Sequence, residues 1–73
     1  MSHKTLLMKI LVNGEEKEAP VGVSVSEYVK ALGFDPETVV VELDGQILTR
    51  ADYPSKQLTE GCELELIRFI GGG

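Results

Sequence analysis

The helix signal is the feature that most constrains the fold of this 73-residue chain, because it is short and occurs once. In SVSEYVKALGF, Ser24 and Glu27 have the spacing of a capping box, and Gly33 stands where a helix commonly ends. Apolar residues lie between them at helical spacing: Val25, Tyr28, Val29 and Leu32. A helix of about two to three turns covers only one face of a sheet. The rest of the chain must therefore form a small sheet with one open face.

Strand and turn signals surround the helix. A β-rich run at residues 6–12 precedes Asn13-Gly14, which favours a two-residue hairpin turn. The return strand, residues 15–21, is charged and contains Pro20, so it is predicted at a sheet edge. After the helix, Asp35 before a proline predicts a brief helical turn. A β-branched strand then runs into a turn at Asp44-Gly45 and a short continuation.

The polar stretch 49–61 lacks a clear period and is predicted to be an irregular loop in which Tyr53 and Leu58 fill the core. The final run, CELELIRFI, alternates and is predicted to be a central strand. Its inward residues would be Cys62, Leu64 and Leu66. The element order is that of an α+β fold, the β-grasp, with a small mixed sheet packed on one helix.

The same alternation predicts an exposed docking surface for a partner on the open face of the sheet. Ile67 and Phe69 of the last strand would point to this face, together with Leu7 and Leu11 of the first strand. The acidic residues Glu63 and Glu65 flank it and would contact the partner. The alternative is that Ile67 and Phe69 are buried in a second small cluster.

Charge and cysteine content favour some classes of function over others. Seven basic against twelve acidic residues give a net charge of −5, which disfavours nucleic acid and anionic lipid and suits a basic partner. The single cysteine, Cys62, is expected to be a core residue, and the absence of a long apolar run favours a reducing cytoplasm. His3 has no metal-ligand spacing around it, so no metal site is expected.

Three segments carry a resemblance to a known family: MKILVNG at residues 8–14, VVELDGQIL at 40–48 and RFIGGG at 68–73. They resemble the ThiS family, the sulfur carriers of thiamine thiazole biosynthesis, which have the ubiquitin-like β-grasp fold. The similarity runs from about residue 8 to residue 73. It implies an N-terminal extension at residues 1–7, a β-grasp domain at 8–70 and a flexible glycine tail at 71–73.

The resemblance also implies a chemistry for this tail. The carboxylate of Gly73 would be adenylated by an E1-like enzyme that uses ATP, then converted to a thiocarboxylate with sulfur from a donor of the cysteine desulfurase type. Thiazole synthase would receive the sulfur, so the chain would be a carrier and not an enzyme, with no cofactor bound by itself. Residues without a Cβ leave the reacting carbonyl open, and Gly71 and Gly72 would pass through a narrow channel.

Other functions share the same sequence end. A carrier for molybdopterin or another sulfur-transfer pathway has a similar tail, and a ubiquitin-like protein modifier would join Gly73 to lysines. An interaction module with an inert end, or glycines left by cloning, are further alternatives.

Overall fold

The computed structural model describes residues 6–68, which form five strands, one α-helix and one 3₁₀-helix. In chain order these are β1 (Leu7–Val12), β2 (Glu15–Pro20), α1 (Val25–Ala31), β3 (Val39–Leu43), β4 (Gln46–Ile47), a 3₁₀-helix (Arg50–Asp52) and β5 (Glu63–Arg68). The sheet order is β2-β1-β5-β3-β4, with β1 and β5 parallel and the other pairs antiparallel. The predicted mixed sheet, with the last strand central and the charged strand at an edge, is confirmed.

Helix α1 begins and ends at the residues that the sequence predicts. The Glu27 N–H donates to Ser24 Oγ at 3.1 Å, and the Ser24 N–H donates to Glu27 Oε1 at 3.3 Å, which completes the capping box. Gly33 follows the helix with a φ of 93°, a conformation that favours glycine. The buried residues Val25 and Val29 pack the helix on the sheet.

The core lies between α1 and one face of the sheet. Alternate strand residues point into it, including Ile10, Val41 and Leu64, each at most 1% exposed. The 49–61 segment contributes Tyr53 and Leu58, which are buried as predicted. The Tyr53 hydroxyl donates to the Val39 carbonyl at 2.9 Å and accepts from the Val41 N–H at 3.1 Å, so the loop is anchored to β3.

Two local predictions differ from the structure. Residues 35–38 form a single hydrogen-bonded turn in place of the predicted brief helical turn: the Thr38 N–H donates to the Asp35 carbonyl at 2.9 Å, the Asp35 side chain accepts the Glu37 N–H at 2.9 Å, and β3 begins at Val39. The predicted irregular loop contains the 3₁₀-helix Arg50–Asp52. Strand β1 begins at Leu7, one residue before the predicted start of the β-grasp domain at residue 8. The division into an extension at residues 1–7 and a domain at 8–70 stays a prediction.

The α-helix described within residues 6–68 is not long and apolar enough to cross a membrane.

Candidate functional site

Strand β5 leads directly toward the predicted glycine tail, and its position in the sheet is fixed from both sides. Phe69, Gly71, Gly72 and Gly73 lie outside the described residues. Arg68, the last described residue, pairs with Val39 of β3. The site that the structure describes is therefore the end of β5 and the two sheet faces beside it.

Two hairpin turns hold β5 through their side chains. Asn13 and Asp44 each occupy the first turn position with a positive φ, 50° and 49°, and each precedes a glycine. Asn13 Oδ1 accepts the Leu66 N–H at 2.9 Å, and Asp44 Oδ1 accepts the Glu63 N–H at 2.9 Å. Both turns were predicted from the sequence, but their contacts with β5 were not. They fix the strand along most of its length.

The register of the strands determines which residues are neighbours on the open face of the sheet. Ile67 lies opposite Val40, Glu65 opposite Glu42, and Glu63 opposite Leu11. The apolar Val40–Ile67 pair is at the end of the face from which the chain leaves β5. It forms the part of the predicted docking surface nearest to the tail.

The predicted docking residues divide between the two ends of this face. Ile67 is 48% exposed and Leu7 is 55% exposed, while Leu11 is half-buried. Leu7 lies four positions before Leu11, and Ile67 lies four positions after its neighbour Glu63, so about 26 Å of strand separates the two ends. Leu7 therefore does not meet Ile67. Val40, which the sequence reasoning did not assign, is the apolar neighbour of Ile67.

The open face is strongly acidic. Lys9 is its basic residue among the strand positions, and its Nζ lies 3.9 Å from Glu16 Oε1. The glutamates that share the face are Glu16, Glu18, Glu42, Glu63 and Glu65. Like charges directly opposite one another in a sheet are destabilising, and Glu42 and Glu65 form such a pair. A cationic group from another molecule would relieve this repulsion. Alternation in VVVEL could have placed Glu42 on the open face, but its partner strand could not be read from the pattern.

The helix-facing side of the β5 end carries a contact that sequence reasoning missed. The guanidinium of Arg68 lies over the ring of Phe34, with Cζ 5.3 Å from the ring centroid. Arg68 follows the inward parity of Leu64 and Leu66, which is the only signal in the sequence for this placement.

Cys62 is a structural residue in this fold. It is buried directly before β5, and desolvation, with a smaller effect from the Asp44 carboxylate, raises the pKa of its thiol. A raised pKa lowers the thiolate fraction, so the thiol is a poor nucleophile. Among residues 6–68, no three His, Cys, Asp or Glu side chains are grouped to hold a metal ion.

One helix on a mixed five-stranded sheet, with a central last strand that leads to a run of glycines, defines a ubiquitin-like β-grasp protein. The fold is shared with a computationally designed protein based on human erythrocytic ubiquitin, at a TM-score of 0.56 and 23% identity, covering 92% of this chain and 95% of that one. Within this class, the sequence model of the ThiS family matches residues 10–73, and the chain belongs to the ThiS family.

Two further relatives are similar over most of this chain. The crystal structure of the thiamine biosynthesis protein ThiS from Geobacter metallireducens has a TM-score of 0.78 and 32% identity, covering 90% of this chain and all of that one (100%). A thiazole synthase of Magnetococcus marinus is 39% identical over 66 residues, which are 90% of this chain and 20% of the synthase. The chain thus spans about a fifth of the length of the synthase that it matches.

Proposed function

We propose that this chain is a cytoplasmic sulfur carrier that supplies sulfur for the thiazole of thiamine, through a thiocarboxylate on Gly73. Membership of the ThiS family, across residues 10–73 and including the glycines, is the observation that carries the proposal. The match between this chain and a segment of a thiazole synthase supports that enzyme as the partner that receives the sulfur, because a carrier and its acceptor gain from being close.

The proposed chemistry activates a poor electrophile. At neutral pH a C-terminal carboxylate is an anion that resists nucleophilic attack. An E1-like enzyme would let one Gly73 oxygen attack the α-phosphorus of ATP, which releases pyrophosphate and leaves an acyl-adenylate. The outer sulfur of a persulfide on a donor of the cysteine desulfurase type would then attack the carbonyl carbon and displace AMP, and a thiol reductant would cleave the resulting acyl disulfide. The product is the thiocarboxylate, and ATP is held by the enzyme.

The carrier itself would act by presenting its end and by docking. Gly71 and Gly72 have no side chains to block a narrow channel, so the grip on the partner must come from the folded body. We assign it to the open sheet face near the end of β5, where Ile67 and its neighbour Val40 provide apolar area. Phe69 would extend this surface. Leu11, in the middle of the open face, would also contact the partner.

Charge defines the kind of partner surface that fits. Glu63 and Glu65 flank the apolar area together with Glu42, so the partner should present arginines or lysines around an apolar centre. Such pairing accelerates encounter, and its effect falls with ionic strength. Leu7, at the far end of the face, would be reached only by a partner that covers the whole sheet.

Intact mass spectrometry tests the function. The full chain is incubated with its activating enzyme, ATP and inorganic sulfide, and replacement of one oxygen by sulfur should raise the mass by about 16 Da. Omission of ATP is the control and should leave the mass unchanged. The thiocarboxylate form should then support thiazole formation by thiazole synthase, whereas the untreated form should not.

Other outcomes would identify the alternatives. A thiocarboxylate that thiazole synthase does not accept, but that another sulfur-transfer enzyme consumes, would reassign the pathway. Lysine adducts of Gly73 in cell extracts, without a thiocarboxylate, would identify a protein modifier. A natural protein whose mass shows residues beyond Gly73, with no processing back to it, would contradict the proposal.

A further inference from the structure

Arg68 is held at the last position of β5 by its side chain. Its Cα lies opposite Val39 of β3, directly after the Ile67–Val40 pair. Its guanidinium lies over the Phe34 ring at 5.3 Å from the centroid, inside the distance of about 6 Å over which a cation is attracted to an aromatic face. The ring contact therefore holds the residue from which the chain continues toward the glycines, at the end of the β3–β5 ladder.

The ring that Arg68 covers is itself anchored. Phe34 is half-buried and packs against the core. Its N–H donates to the Val29 carbonyl of α1 at 3.1 Å, directly after the glycine that ends the helix. The Arg68 contact therefore ties the end of β5 to the end of α1.

The stacking on Phe34 is the attractive contact that the described residues offer to this guanidinium. The ion pairs within residues 6–68 join Lys9 to Glu16 and Lys17 to Glu15, and neither includes Arg68. Since Arg68 follows the inward parity of β5, its side chain is on the helix side and not on the acidic docking face. A role as a charged docking residue of that face is therefore a poor fit to its position.

We propose that Arg68 and Phe34 form a latch that fixes the end of β5, from which the chain continues toward Gly73. The inference rests on the proposed function, since it makes Arg68 a positioning residue for delivery of Gly73 to the adenylating site. When the latch is lost, the Arg68–Val39 and Ile67–Val40 pairs are free to fray. The activating enzyme must then order these residues as it binds the carrier, and each ordered residue has an entropic cost.

The kinetic signature of such a cost is specific. Ordering is needed for the bound ground state and the transition state alike, so it raises KM and leaves kcat unchanged. We expect Arg68→Ala and Phe34→Leu each to raise the KM for the carrier about three- to tenfold, in ATP-dependent pyrophosphate release by the activating enzyme. Phe34→Tyr keeps the aromatic face and should restore the original KM. Lys56→Ala, which removes one positive charge elsewhere, should leave KM unchanged.

A double-mutant cycle separates the latch from direct contact with the partner. If Arg68 acts through the ring, the combined variant Arg68→Ala with Phe34→Leu should have the KM of either single variant. A Phe34→Leu variant with the original KM, or single effects that multiply in the double variant, would overturn the latch, because Arg68 would then act independently of Phe34.

Hydrogen exchange gives a second readout that does not depend on the partner. The Ile67 amide should exchange about three- to tenfold faster in Arg68→Ala and Phe34→Leu, while amides of β1 keep their rates. Unchanged exchange at Ile67 in both variants would overturn the latch. If the activating enzyme releases no pyrophosphate from ATP in the presence of the unmodified carrier, the proposed function fails. The exchange measurement still decides whether the latch exists.

Discussion

The two faces of the sheet are made from alternate residues of the same strands, yet their central residues differ in burial and charge. On the helix-covered face, Ile10, Val39 and Leu64 are at most 1% exposed. On the open face, Ile67 is 48% exposed and stands among glutamates. The covered face therefore provides the folding free energy, and the open face is free to carry binding residues.

This division has a physical basis in the size of the chain. Within residues 6–68 of this 73-residue chain, one α-helix is present to cover the sheet, and a domain of this size has a small stability margin. Residues that bind a partner must be exposed, apolar or charged, and none of these properties stabilises the free protein. Keeping such residues on the uncovered face leaves the core intact. Substitutions on the two faces should consequently separate stability from function.

Removal of Gly72 and Gly73 should have the largest functional effect. We expect adenylation and the mass gain to be abolished, because the reacting carboxylate is then displaced by two residues from the position that the activating enzyme requires. The melting temperature should not change, since the buried apolar residues of the described core all lie between Met8 and Leu66. Pyrophosphate release and thermal denaturation measure the two effects. A marked fall in the melting temperature would show that the glycines belong to the folded unit.

Leu64 and Ile67 offer a matched comparison of the two faces within β5. Leu64→Ala removes a side chain that is 1% exposed and should lower the free energy of unfolding by about 2–5 kcal/mol. Ile67→Ala removes a similar side chain from the open face and should cost about 1 kcal/mol or less.

Binding should reverse this order. We expect the folded fraction of the Leu64→Ala variant to bind the activating enzyme with unchanged affinity, and Ile67→Ala to bind several-fold more weakly. Chemical denaturation and calorimetric titration supply both numbers. Equal affinity for Ile67→Ala and the unmodified chain would remove this residue from the docking surface.

Substitution of Asn13 tests whether its side-chain hydrogen bond to the Leu66 N–H helps to hold β5 in the sheet. Asn13→Gly keeps a residue suited to the positive φ but removes the oxygen that accepts the Leu66 N–H, so it should cost about 1 kcal/mol of stability. Asn13→Asp keeps that acceptor and should cost less. Denaturation curves, with hydrogen exchange at Leu66, measure the difference. If both variants lose the same stability, the side-chain bond does not hold β5.

Local patterns were enough to predict the two faces and most of the elements. The spacing of Ser24 and Glu27 gave the start of α1, and Asn13-Gly14 gave the first turn. The inward and outward parity of β5 followed from its alternation. Each of these features depends on residues within a few positions of one another, which is the range that sequence periodicity reports.

The contacts of the candidate site were not accessible in this way, because they join distant segments. Val40 meets Ile67, and Arg68 meets Phe34, only after the order of the strands and their register are set. Register shifts by one residue would exchange the faces of a strand, and no local pattern specifies which residue of another strand lies opposite. Family resemblance supplied the role of Gly73, but it did not supply these neighbours.

The opposed glutamates of the open face give the smallest expected change in stability and the sharpest test of the division between faces. Glu42 and Glu65 lie directly across from each other in β3 and β5. Glu65→Gln removes the repulsion and should raise the free energy of unfolding by about 0.2–1 kcal/mol.

The same change should slow association with the activating enzyme. The difference in association rate should shrink as salt is added, since long-range attraction to a basic surface is screened. Glu15→Gln, on the edge strand and on the other parity, removes the same charge and should alter association less. If the Glu65→Gln carrier gains stability but still associates at the original rate in low salt, the Glu65 carboxylate does not help to attract the partner.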